Sequence, residues 1–297
     1  METSMPKVFQ LGFVALGVAD FERTRDYYVD TFGTTEVDRE KDGTVYLSVG
    51  YHHHDIVLRP ADDKSLLHLG YQLNAGTELD AFAKEVGAFG LKAQKKSDSQ
   101  PGIAELVEVE GPRGNIFQFY ETIDAPAPGF KSGAVSPLSL GHVAVISHEA
   151  EKLIAFYRDF LGFWETDWIG DLANFLTCSY EHHVVNIVNA PLSKVHHIAF
   201  QLQDNSHQFR AADRLIADGV PTKWGPSRHT AGHNVASYHY DPDKNLIELY
   251  TDMDVFVPEL GMCQPRPWHE HFPMKPKRWD PQFSAWEVEF GFDLAQG

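Results

Sequence analysis

Cysteine is nearly absent from this chain: Cys178 and Cys263 are the only two, far apart and in no CxxC pair. Disulfide scaffolds and thiolate zinc sites are therefore both disfavoured. Positive charge is scarce as well, with 25 Lys and Arg against 42 Asp and Glu and a net charge of −17. Such a surface repels a phosphate backbone, so nucleic acid is not an expected partner. No apolar run approaches the roughly 18 to 20 residues of a membrane span, and the opening METSMPKVFQLGF lacks the long apolar core of a signal peptide. A soluble, cytoplasmic protein without a membrane partner is expected. What remains is an ordinary globular composition, 43% hydrophobic over 297 residues, enough for about two domains of ~150 residues. Histidine, with 16 copies, is the abundant metal-binding side chain.

The chain repeats itself. LGFVALGV (Leu11 to Val18) matches LGHVAVIS (Leu140 to Ser147) at an offset of 129, and the same offset sets YYVDTFG (Tyr27 to Gly33) on FYRDFLG (Phe156 to Gly162). It also sets HHHDIVL (His52 to Leu58) on EHHVVNI (Glu181 to Ile187) and LLHLGYQL (Leu66 to Leu73) on VHHIAFQL (Val195 to Leu202). After one inserted residue, GPRGNIFQFYE (Gly111 to Glu121) falls on DPDKNLIELYT (Asp241 to Thr251). The two halves are duplicates.

Period-2 alternation predicts strands at Phe13 to Val18, Val45 to Val49, His54 to Leu58, Leu66 to Leu73, Leu106 to Val109 and Ile116 to Tyr120. Helical spacing predicts helices over Phe21 to Phe32 and Leu79 to Phe89. Each half is then two βαβββ units, an α+β architecture in two tandem domains. The Pro- and Gly-containing stretch Asp124 to Pro137 is the expected linker. The expected divisions are 1–130, a repeat domain without catalysis; 131–260, the catalytic metal-binding domain; and 261–297, a Pro- and Trp-rich strap over the second half.

A shared fold predicts shared core residues, so functional residues belong where the halves differ. His142 stands against Phe13, Glu248 against Gln118 and Tyr238 against Glu108, while His197 matches His68. The second half thus has two histidines and a carboxylate on three separate strands. Two imidazoles and one carboxylate on one face of a divalent ion, with the remaining positions open, form the triad typical of non-haem Fe(II) oxygenases. Pleating puts Leu246, Glu248 and Tyr250 on one strand face, which leaves Glu248 a costly buried carboxylate unless a cation, metal or Arg/Lys, meets it. His196 and His197 are adjacent and are expected on opposite faces, so one of them ligates, and the repeat selects His197.

LGHVAV, VHHIAF and DPDKNLIELY, in this order and spacing, resemble the ligand strands of type I extradiol ring-cleavage dioxygenases, the catechol 2,3-dioxygenase branch of the vicinal oxygen chelate superfamily. The resemblance spans roughly residues 8 to 260 and implies tandem glyoxalase-like domains. It implies Fe(II), with Mn(II) as an alternative, on His142, His197 and Glu248, and meta-cleavage of a catechol by O2 in a homo-oligomer. GPSRHTAGHNVASYHYDPD (Gly225 to Asp243) resembles the stretch whose histidine, nine residues before a tyrosine, contacts the catechol; these are His229 and Tyr238. The acid/base histidine, fourteen residues before the second metal histidine, is implied to be His183. Trp224, where some relatives that act on carboxylated catechols carry arginine, implies a substrate with an apolar or aromatic substituent. Arg266, Lys275, Lys277 and Arg278 in the tail are the alternative source of a charge.

Other histidine-rich segments carry less. HHHD at His52 to Asp55 reads as a relic of the duplication, and His269 and His271 as solvated or packing residues. DPDKN at Asp241 lacks the Gly and Glu of a calcium loop. The competing functions are a metal-dependent isomerase or lyase of the glyoxalase type and a ligand-binding relative without turnover.

Overall fold

The computed structural model describes residues 5–126, 129–131 and 133–291. Each predicted strand–helix alternation closes into a βαβββ unit, twice in each half. The first half runs β1 (Val8–Val18), α1 (Phe21–Asp26), β2 (Thr35–Arg39), β3 (Val45–Ser48) and β4 (Ile56–Pro60). It continues with β5 (Ser65–Leu73), α2 (Leu79–Ala88), β6 (Lys92–Gln100), β7 (Ile103–Glu110) and β8 (Ile116–Tyr120). The second half runs β9 (Ser139–Ser147), α3 (Ala150–Ala155), β10 (Trp164–Ile169), β11 (Ala173–Thr177) and β12 (Val185–Asn189), then β13 (Lys194–Gln201), α4 (Asn205–Ala217), β14 (Trp224–Arg228), β15 (Val235–Tyr240) and β16 (Leu246–Thr251).

The strand orders repeat as the sequence does. The first sheet is β2-β3-β4-β1-β5-β8-β7-β6, and the second is β10-β11-β12-β9-β13-β16-β15-β14 with a short added edge strand, Arg278–Trp279, beside β10. This is the tandem fold of vicinal oxygen chelate, glyoxalase-like proteins. Of the two compact units, one holds Lys7–Leu140 with Asp241–Lys244, and the other Gly141–Tyr240 with the chain from Asn245. Within the stretch Asp124 to Pro137, residues 127, 128 and 132 lie outside the described residues.

β2 and β6 are strands that alternation did not predict. β6, KAQKKSDSQ, has no buried residue and lies at a sheet edge, where no apolar face is required. The inner strands are buried along most of their length, and a close approach recurs in both halves. A Cβ at Gly141 would overlap the Tyr250 hydroxyl, and one at Gly12 would overlap that of Tyr120. Glycine at these positions lets a tyrosine from β16 or β8 cross under the first strand.

The tail packs within the second unit. Met262–Cys263 pairs with Phe256–Val257, Arg278–Trp279 runs parallel to β10, and Ser284 bridges His229. Both cysteines are buried free thiols.

Candidate metal centre

The second sheet places its polar residues in a row. Across neighbouring strands β15, β16, β13 and β9 lie Tyr238, Glu248, His197 and His142, and His183 lies just ahead of β12, the next strand, with Val184 between. Register brings them level: Tyr238 and Ala199 both pair with Glu248. His142 Nε2 is 3.2 Å from Glu248 Oε2, His197 Nε2 is 3.0 Å from the same oxygen, and the two nitrogens are 3.4 Å apart. Donors about 2.1 Å from one divalent ion and at right angles to each other stand about 3.0 Å apart. The triangle therefore fits three cis positions around a single ion.

Electrostatics fit as well. Burial alone would raise the Glu248 carboxyl, but the facing His142 and His197 hold it well below the usual carboxylate range. Burial in turn lowers His142. An ionised carboxylate beside a neutral imidazole is the protonation that metal binding requires. Among the described residues the ion-pair partners of Glu248 are His142 and His197, and neither Arg nor Lys reaches it. Tyr238 Oη donates to Oε2 at 2.7 Å and Asn234 Nδ2 to Oε1 at 2.7 Å.

His196 departs from the alternation argument. Its Nδ1 lies 2.7 Å from His197 Nδ1, and both histidines line the same cavity. Nδ1 is only two bonds from Cβ, so a ring that starts on the opposite face can turn back along the strand. His197 remains the member of the pair in the triangle, its outer nitrogen held by its neighbour as metal-bound histidines commonly are.

His229 and Tyr238 form the next layer. His229 Nδ1 is 2.8 Å from the Phe283 carbonyl, which can only accept, so neutral His229 carries its proton there and presents a lone pair at Nε2. Tyr238 Oη is 3.0 Å from that nitrogen, so its single proton has two acceptors. Burial pushes the Tyr238 phenol well up and His229 down. His183, ring centroid 4.3 Å from that of His142, is buried and held well below its usual range, first by burial and then by the neighbouring imidazoles.

These residues border a cavity of about 220 Å³ whose remaining wall includes Ile169, Leu172, Phe175, Val188, Phe283 and Phe290. Neither Lys nor Arg is among its described lining residues. Trp224 is not among them either. Its ring stacks behind His229 at 5.0 Å, and its Nε1 donates to the Glu289 carbonyl at 2.9 Å. The aromatic wall comes instead from Phe283 and Phe290, tail residues that the repeat could not reveal because the first half has no counterpart. The tail cations point elsewhere: Lys277 lies over Trp279, and Arg278 pairs with Asp171.

A second cluster, His233, Asp254 and His269, is satisfied by hydrogen bonds. His233 and His269 contact separate oxygens of Asp254 at 2.7 and 2.8 Å, and Trp268 donates to the second of these oxygens at 3.2 Å.

Fold and site together point to a class: residues 139–249 match the Glyoxalase/Bleomycin resistance protein/Dioxygenase superfamily. Within that class the resemblance is to extradiol ring-cleavage dioxygenases. The chain is 25% identical to metapyrocatechase of Pseudomonas sp. (strain CF600) over 267 residues, covering 83% of this chain and 87% of that one. It is 23% identical to manganese-dependent 2,3-dihydroxybiphenyl 1,2-dioxygenase of Geobacillus genomosp. 3 over 291 residues, 89% of this chain and 91% of that one. Its fold matches the Mn(II)-bound glyoxalase from Novosphingobium aromaticivorans with a TM-score of 0.84 at 24% identity, over 96% of this chain and 92% of that chain.

Proposed function

We propose that this protein is a metal-dependent extradiol dioxygenase that holds Fe(II), or Mn(II) in its place, on His142, His197 and Glu248. Its substrate is a catechol with an apolar or aromatic substituent. The observation that carries the reading is the triangle of two neutral-type imidazole nitrogens and one carboxylate oxygen at the polar end of an otherwise apolar cavity. The dioxygenase relatives, similar over more than four-fifths of this chain, support it.

When bound, the ion supplies the chemistry that lets singlet catechol react with triplet O2 and makes the catechol hydroxyls more acidic. The chain's own residues do the rest. His229 Nε2 carries a lone pair beside the triangle and accepts a hydroxyl proton from the incoming catechol. Tyr238 Oη, whose proton has two acceptors, orients the resulting oxygen by a hydrogen bond. His183 lies across the triangle from Tyr238 in the sheet order and moves the proton that ring opening requires. The apolar wall excludes water and selects an apolar ring. Both atoms of O2 enter the product as the carbon–carbon bond beside the diol breaks, so no external reductant is consumed.

The test is anaerobic loading with Fe(II) or Mn(II), addition of a panel of substituted catechols, then air in an oxygen electrode. One O2 consumed per catechol with a yellow ring-cleaved product is expected, with alkyl and aryl catechols ahead of carboxylated ones. Isomerisation of a thiol adduct of an α-keto aldehyde without O2 uptake would favour a glyoxalase instead, and preference for an acidic catechol would end the substrate assignment.

A further inference from the structure

His183 does not stand alone behind the cavity. Its Nδ1 lies 3.1 Å from Nδ1 of His182, and His182 Nε2 lies 3.1 Å from Asp167 Oδ2. Asp167, on β10, also accepts from Trp279 Nε1 at 2.6 Å and from the Lys277 backbone N–H at 2.9 Å, both in the tail. His182 and Asp167 are both buried.

Counting protons along this chain leaves one arrangement for neutral imidazoles. The Asp167 carboxylate only accepts, so His182 must donate from Nε2. A neutral His182 then has a bare Nδ1, so the hydrogen bond between the two histidines must carry its proton on His183 Nδ1. His183 therefore keeps its lone pair on Nε2.

Resting on the dioxygenase reading above, we propose that His182 and Asp167, clamped by the tail residue Trp279, are positioning residues that hold His183 as its Nδ1–H tautomer, with Nε2 ready to take a proton. The clamp ties the tail to proton transfer as well as to packing. An Asp167→Ala substitution removes the acceptor of His182 Nε2–H, and with it the constraint that places the His183 proton on Nδ1. His182→Leu breaks the chain altogether. His182→Gln keeps it, because the amide nitrogen and oxygen are spaced much as the two ring nitrogens are and can donate to Asp167 while accepting from His183.

The tautomer is read directly by 15N NMR of histidine-labelled, full-length, metal-free protein, a measurement that needs no turnover. Wild type should show His183 protonated at Nδ1, Asp167→Ala should spread the proton between Nδ1 and Nε2, and His182→Gln should leave it in place. In the metal-loaded enzyme Asp167→Ala and His182→Leu should lower kcat by about 10²-fold or more, with KM for catechol within about twofold, while His182→Gln stays within about tenfold of wild type. A wild-type His183 protonated at Nε2 overturns the proposal even if no variant folds. So does unchanged kcat in folded His182→Leu. Nδ1–H in a protein that cleaves no catechol would support the relay while ending the dioxygenase reading, and ring cleavage with Nε2–H would do the reverse.

Discussion

At the scale of single residues, burial shifts protonation wherever no charged partner offsets it. Glu181 is the sharpest case: its carboxyl accepts from Tyr250 Oη at 2.9 and 3.0 Å, yet burial raises it from the ordinary 4.5 to about 7. Between these values the folded protein holds a proton that the unfolded chain has released. Stability therefore falls as pH rises from about 4.5 through about 7, by on the order of 3 kcal/mol for the full shift. Glu181→Gln keeps an acceptor for Tyr250 without the charge. Relative to wild type, it should gain stability in denaturant titrations at pH 8 and little at pH 5; parallel stability curves for the two proteins across this range would show that Glu181 carries no such shift. Here the sequence was uninformative, because EHH in a loop bears no mark of its depth.

Among elements, the tail is the one whose role the sequence left open. Its residues from Phe283 to Phe290 are joined to β14 and the loop after it: Ser284 Oγ meets Ser227 Oγ at 2.8 Å, Ala285 N donates to the Arg228 carbonyl at 2.7 Å, and the Phe283 and Glu289 carbonyls hold His229 and Trp224. Phe290 packs against Trp224 at 5.0 Å and Tyr238 at 5.7 Å. Phe290→Ala should lower kcat/KM for unsubstituted catechol about tenfold through lost apolar contact while improving the relative rate with bulky aryl catechols. A steady-state panel checks this, and an unchanged ranking of substrates would remove Phe290 from the specificity wall. Trp224 and the tail thus act together: the tryptophan that the sequence singled out supports His229 and Phe290 from behind, while the tail supplies Phe283 and Phe290 to the cavity wall.

For the molecule as a whole, duplication poses the question of one metal or two. In the first half, Phe13 stands where His142 does, its ring 4.7 Å from His54 and 5.6 Å from His68, and a Cβ on Gly70 would meet that ring. Gln118 replaces Glu248 and donates to Glu108 at 3.1 Å. Burial lowers His68 to about 4 against the pull of the Glu108 carboxylate, and among the described residues His68 belongs to no group of three close ligand atoms such as His142, His197 and Glu248 form. A phenyl ring offers no lone pair and an amide no charge. Metal analysis should give about one ion per chain, unchanged in His68→Ala, while Glu248→Gln, His142→Ala and His197→Ala each lower affinity at least about 10²-fold with the fold retained. Two equivalent ions per chain would refute the assignment.

Much of this protein was determined by its sequence alone. The offset of 129 residues aligned two copies of one fold, and because copies share core positions, their differences at Phe13/His142 and Gln118/Glu248 exposed the residues that now form the triangle. Alternation located the inner strands because each has a face to bury, and it missed β2 and β6, the two edges of the first sheet, neither of which has a buried residue. Only the tertiary structure decided which residues surround that triangle. Phe283, Phe290, Asp167 and Trp279 lie far along the chain from the residues they serve, and His196 turns toward a neighbour that pleating alone would separate from it. Periodicity records which way a side chain leaves its own strand. What it meets is set by the packing of distant segments, and that packing makes His183, His229 and the cavity wall into one site.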